Sequence, residues 1–325
     1  MFKQQADQIS NLVSGPQFPE NLSLIGIPYS QASSLFWNCL IPHEIGHYVF
    51  GRLALAVKFK KKIEAELMTR IGSAVSVDLR GQIIELLARW IEELFCDVFA
   101  VKLVGLCFSI AFTELFDVAK FLDTAGKLTP GGMRGETEFR QYPPDLLRVR
   151  QQSRILQTDG WWDMVQSLDS QYANALGAAV SLDDSAFRCT ALQAEWKVDP
   201  IPILQSFFAV LPNLELELEQ CTAGLSNCSQ NWKDSAETIE KYLESGVVPS
   251  TLRKEEGAEE FHPTPIALLN SAYRFYIRSM PLLMNRISNA DPNEVESRIR
   301  WTRRVENWTS KAIEDVLLLS RRPSK

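Results

Sequence analysis

Two of the chain's three histidines stand four residues apart, in the segment His43-Glu44-Ile45-Gly46-His47, and this spacing constrains the fold more than any other feature of the sequence. On an α-helix, positions i and i+4 differ by about 40° around the axis, so both imidazoles leave the same face. The flanks are apolar, with Leu40 and Ile41 before and Tyr48, Val49 and Phe50 after, which directs that helix towards a core. Two histidines and a carboxylate carried to the edge of a core are costly unless something compensates their polar atoms. A metal ion does so, and His43 and His47 on one helix face begin a tetrahedral zinc site.

A second segment supplies the rest of the set. Residues 92–100 read Glu-Glu-Leu-Phe-Cys-Asp-Val-Phe-Ala, in a stretch rich in apolar side chains (Leu86, Leu87, Trp90, Leu94, Phe95). Glu93 and Asp97 again share one helix face. The expected division makes Glu93 the third zinc ligand and Asp97 the acceptor for the other ring N–H of a liganding histidine. Glu92, turned about 100° away, is expected to face solvent, and Cys96, off the Glu93/Asp97 line, to be a packed thiol. Glu44 adjoins the first ligand without ligating. Zinc lowers the pKa of a bound water towards ~7, Glu44 can take its proton as general base, and Glu44 can later deliver that proton to a leaving amine.

The pair H-E-I-G-H and E-L-F-C-D-V-F-A resembles the gluzincins, in particular the ImmA-type anti-repressor peptidases and the prenyl-protein (CAAX) zinc peptidases. Those carry H-E-x-G-H and, on a later helix, E-x-x-A-D/N. The likeness covers roughly residues 22–105, and Cys96 stands where those families usually have Ala. It implies a zincin-like core, Zn2+ as cofactor and endopeptidase activity on a protein or peptide substrate, with narrow, regulated specificity and, by analogy, a bacterial stress or defence setting. It further implies an edge strand ahead of the motif helix that pairs with extended substrate. Residues 22–27 (Leu-Ser-Leu-Ile-Gly-Ile), stopped by Pro28, are placed for it. The alternative is a non-catalytic binding or regulatory module with a structural or vestigial zinc site. Glu44 argues against that, since a structural site has no use for a base.

Elsewhere the apolar period is helical, and the expected fold is mainly α. One helix is expected from residue 33 or 34 to 57, with Pro42 kinking it or marking its true first turn. Another is expected over 80–104, weakened at Gly105. Loop composition covers 125–142, and helices resume through 176, over 203–218 with a break at Pro212, and over 231–243. A second loop spans 246–265. The last helix takes Asp291 as N-cap, Pro292 at its first position and Glu294 at its third. Val295, Ile299, Val305, Trp308, Ala312 and Val316 form its apolar face. Residues 1–125 read as the zinc-peptidase core and 126–325 as a helical half that completes the cleft, unless the two form one continuous domain. His262 and Tyr142 each sit beside prolines ahead of a helix. Either could donate a hydrogen bond to a developing oxyanion, His262 first because histidine is scarce.

A net charge of −6 gives nucleic acid no attraction as a partner. Lys58 and Lys60 to Lys62 read as a solvated helix end. The apolar run over 98–116 is interrupted by Lys102 and Glu114, so no membrane span is expected. The first twenty residues carry no apolar h-region, and the six cysteines form no C-x-x-C pair. Reduced thiols and a cytoplasmic location follow as expectations.

Overall fold

A computed structural model describes residues 34–116, 142–168, 171–184, 187, 197–223, 229–253, 260–287 and 294–320. The protein is mainly α. After a short 3-10 turn at Trp37–Leu40 come α1 (Ile41–Arg52), α2 (Leu55–Ile71), α3 (Val77–Val104), α4 (Leu106–Leu115), α5 (Asp145–Thr158), α6 (Trp162–Gln166) and α7 (Gln171–Val180). They are followed by α8 (Pro200–Val210), α9 (Pro212–Thr222), α10 (Ser229–Glu244), α11 (Pro265–Ile287) and α12 (Glu294–Ser320). Among the described residues there is no strand, only an isolated antiparallel bridge between Leu252 and Phe261. The expected edge strand at residues 22–27 lies outside the described residues, as do Asp291 and Pro292 ahead of α12.

α3 is the axis of the structure. Ser76 caps its start, the hydroxyl accepting from the Leu79 N–H, and Asp78 lies in its first turn. Both oppose the positive end of the helix dipole. Its first half buries one stripe through Ile83, Leu86, Leu87, Trp90 and Ile91. From Leu94 to Val101 every residue is buried, because α1, α2, α4 and α5 pack around it. α9 and α11 add further contacts to the same helix. The chain leaves α3 at Gly105, whose φ of +73° is open to glycine at little cost, and α4 follows at once.

The single helix expected from 33 to 57 is in fact the 3-10 turn, α1 and the start of α2. Pro42 stands in the first turn of α1, where its missing N–H costs nothing. Ala54, at φ +51°, turns the chain into α2. The lysine run is therefore mid-helix: Lys58 pairs with Glu217 on α9, and Lys60 pairs with Glu85 on α3 at 2.5 Å. Pro212 separates α8 from α9 as its missing N–H requires. Pro200–Thr222 together are long and apolar enough to cross a membrane, but they form these two helices, and α8 packs against α2.

Contacts run freely across residue 125. Asn270 on α11 accepts from the Cys107 N–H (3.0 Å) and donates to the Val104 carbonyl (2.8 Å), satisfying backbone groups exposed at the α3–α4 corner. Glu306 on α12 accepts from the Ser34 hydroxyl (2.5 Å) and the Phe36 N–H (3.3 Å), while the Phe36 ring stacks on Tyr273. These tie the approach to α1 to the last two helices.

Gly105 yields a stability prediction. A Cβ there would stand 2.6 Å from the Trp161 ring, on a backbone conformation that side chains rarely adopt. Gly105→Ala is expected to destabilise by about 2–4 kcal/mol, the strain and the overpacking adding. Thermal and denaturant unfolding measure it.

Candidate metal centre

α1 and α3 cross at Gly46. A Cβ on Gly46 would lie 2.8 Å from the Cα of Cys96, a distance real Cβ atoms do not show, so glycine alone allows this approach. One turn further on, Phe50 meets Phe95 with ring centroids 5.2 Å apart, closing the crossing with apolar contact. Beside it, His43 and His47 meet Glu93. His43 Nε2 lies 3.4 Å from Glu93 Oε2, and His47 Nε2 lies 3.8 Å from Glu93 Oε1. The two rings stand edge to face, 5.0 Å between centroids.

The donor set fits a zinc ion. Two ligand atoms each ~2.05 Å from a tetrahedral zinc lie about 3.3 Å apart; the His43–Glu93 separation of 3.4 Å matches this, and the His47–Glu93 separation of 3.8 Å is longer. The far nitrogen of each ring faces a carboxylate. His43 Nδ1 lies 2.8 Å from Asp97 Oδ1, at ion-pair distance though outside hydrogen-bond alignment. His47 Nδ1 lies 2.9 Å from Glu92 Oε1. Outer carboxylates of this kind fix which nitrogen of a histidine is presented to a metal. The structure thus brings His43, His47, Glu93 and Asp97 together. It corrects Glu92, which does not simply face solvent but orients the second histidine.

Arg148 is the residue that the sequence reading missed. It enters from α5, buried, and its Nε and Nη2 each lie 2.7 Å from the two oxygens of Asp97. Nη2 also lies 3.4 Å from Glu93 Oε2, and the guanidinium sits over the Phe112 ring, 4.6 Å from its centroid. A bidentate fork of this kind is the geometry at which Arg surpasses Lys. The one local signal was an arginine between Leu147 and Val149 in a helix bound for the interior, since a charge there requires an acidic partner.

The electrostatics follow from these contacts. Burial alone would lower the His43 pKa, but Asp97 and Glu93 override it and carry it up to about 9 in the metal-free protein. Burial would raise Asp97, yet Arg148 and His43 hold it down at about 2. Glu93 is likewise kept below its usual range against its own burial by His43 and Arg148. Burial pushes the Cys96 thiol well above its ordinary value, helped by Glu93, Asp97 and Glu92.

Glu44 is exposed on the outer face of α1, which it shares with Ile45 and Tyr48. Cys96 is a packed thiol as expected, fully buried, and its sulfur and one nitrogen of each histidine lie within 4.8 Å of one another. The structure does not bring His262 to the histidine pair. Its exposed ring contacts the Ser250 carbonyl (3.1 Å) and the Thr251 hydroxyl (3.4 Å), both near it across the Leu252–Phe261 bridge. Tyr142 is half exposed, three residues ahead of α5. No protein family, curated protein or solved structure matches the chain, so its likeness to gluzincins rests on the residues named above.

Two expectations follow. In Gly46→Ala, better helix propensity is worth about 1 kcal/mol, but the new methyl meets backbone, and overpacking costs about 1–3 kcal/mol. The helices should separate and metal affinity should fall, read by titration of stripped protein with zinc. The second concerns pH. The raised pKa of His43 contributes stability that is full below 6.5 and lost as pH rises through about 9. The lowered pKa of Asp97 contributes stability that is full above 3.8 and lost as pH falls through about 2. Metal-stripped protein should therefore show its highest Tm between these limits, roughly pH 4 to 6.5, with His43→Asn flattening the alkaline limb.

Proposed function

We propose that this chain is a zinc-dependent endopeptidase whose zincin-like core is built on α1 and α3, with His43, His47 and Glu93 as the metal ligands. One observation carries this reading. The two Nε2 atoms face the Glu93 carboxylate at 3.4 and 3.8 Å, and the far nitrogen of each ring faces a further carboxylate. A zinc ion held there supplies Lewis acidity, polarising a carbonyl and making water acidic near neutral pH.

The chain's own residues do the rest. Glu44, one residue from His43 and open to solvent, accepts the water's proton and passes it to the leaving amine. Asp97 orients His43, Arg148 fixes Asp97, and Glu92 orients His47. The exposed side chains of Ile45 and Tyr48 share that face of α1 with Glu44. Free thiols at Cys39, Cys96, Cys107 and Cys221 agree with a cytoplasmic setting.

A second reading, a non-catalytic module with a closed structural zinc site, draws support from the nearness of Cys96 to the histidines. Glu44 separates the two. Glu44→Gln should keep one zinc per chain yet cleave a randomised peptide library at least ~10²-fold more slowly than wild type. Equal cleavage by the two proteins rejects the enzymatic role. Glu93→Ala should lose most of the zinc, whereas Glu92→Ala and Asp97→Ala should each weaken it ~10–100-fold, as removal of an outer partner does.

A further inference from the structure

Cys96 is held in place by the same crossing that builds the metal centre. It is fully buried on α3, and its sulfur would lie 3.2 Å from a Cβ on Gly46, the residue that separates the turns bearing His43 and His47. Around α3 it lies about 60° from Glu93, on the side towards Glu92. Its sulfur and one nitrogen of each histidine fall within 4.8 Å of one another. Tetrahedral zinc holds a sulfur and a nitrogen about 3.6 Å apart, given bonds of ~2.3 and ~2.05 Å. These three donor atoms are therefore within a small side-chain adjustment of a common ion. Among the described residues the other buried thiols are occupied, Cys39 towards the Leu35 carbonyl (3.6 Å) and Cys107 towards the Val104 carbonyl (2.9 Å). Among the described residues no such bond is formed by Cys96.

We propose that Cys96 is a fourth protein ligand, which closes the metal site of the resting protein. The inference rests on the reading of His43, His47 and Glu93 as zinc ligands, and it departs from the resembled families, whose usual Ala at this position cannot ligate. When the metal enters, the Cys96 S–H bond breaks, the proton goes to solvent, and a sulfur electron pair forms the bond to the ion, with no change of oxidation state. A thiol that coordinates a dication is deprotonated outright. Four protein donors leave no position for water, so the closed form is inactive, and the sulfur must depart before a substrate carbonyl or water can bind. A thiolate in the set also biases the site towards zinc and softer ions over manganese or magnesium.

Cobalt(II) substitution of the full-length protein tests this. Wild type with one cobalt per chain should show a near-ultraviolet thiolate-to-cobalt charge-transfer band. Cys96→Ser should bind cobalt and lack the band. One bound cobalt without the band in wild type overturns the role of Cys96 and leaves the His-His-Glu centre standing. A band that survives in Cys96→Ser assigns the sulfur elsewhere and also overturns it. Failure of wild type to take up cobalt or zinc overturns both this inference and the metal centre. X-ray absorption at the zinc edge of wild type needs no variant: a sulfur shell at about 2.3 Å beside a nitrogen and oxygen shell is expected, and nitrogen and oxygen alone would refute the proposal.

Discussion

The candidate centre depends on how closely two helices can cross. Helix axes normally stand 8–10 Å apart, held off by the side chains at the contact. At the α1–α3 crossing one partner contributes no side chain at all, and the Cα of Cys96 occupies the space that a Cβ of Gly46 would need. Side chains of ordinary length then suffice to span the gap: an imidazole from α1 meets a carboxylate from α3 without either stretching outward. Phe50, Phe95 and Phe59 fill the adjoining volume, so the crossing is also a packed contact that resists sliding. A larger residue at position 46 would push the same histidines and glutamate apart.

Charge constrains the site as strongly as distance. Arg148 and Asp97 are both buried, and each on its own would be an uncompensated ion in the core. Their bidentate pairing removes that penalty and holds the Asp97 carboxylate against His43. Because α5 delivers Arg148, a helix from beyond residue 125 takes part in organising a cluster whose histidines and acidic residues all lie before it. The Phe112 ring on α4 and the Phe116 ring just past its end border the guanidinium, so three helices converge on one cation.

The parts of this arrangement that obey local rules were legible in the sequence. The i, i+4 spacings of His43/His47 and Glu93/Asp97, the stop at Gly105 and the break at Pro212 all follow from helix geometry and backbone chemistry. The parts that required two helices at once were not. Glu92 was placed towards solvent from its angle to Glu93 alone. His47, though, lies one turn along a crossing helix and so reaches a different position on α3. Cys96 was judged by the same single-helix angle. Arg148 pairs with a residue 51 positions away, and no periodicity encodes that. Scarcity suggested His262, but scarcity carries no spatial information, and its ring is engaged with Ser250 and Thr251. The lysine run looked like a helix end because the partners that neutralise it, Glu85 and Glu217, lie on other helices.

Taken together, the charges around the two histidines also indicate the valence of the ion they suit. With both imidazoles neutral, Glu92, Glu93 and Asp97 contribute three negative charges and Arg148 one positive, leaving −2. The metal-free protein relieves this by keeping a proton on His43 up to about pH 9. A divalent ion with its histidines deprotonated balances the set without that proton. A Cys96 thiolate added to the set would tip the balance to −1, which exchange of one anionic donor for a neutral carbonyl or a water would return to zero. Under the function proposed above, a closed site and a hydrolytic one would be two states of one charge arrangement, and Glu44, outside the set and exposed on α1, would be needed only in the second.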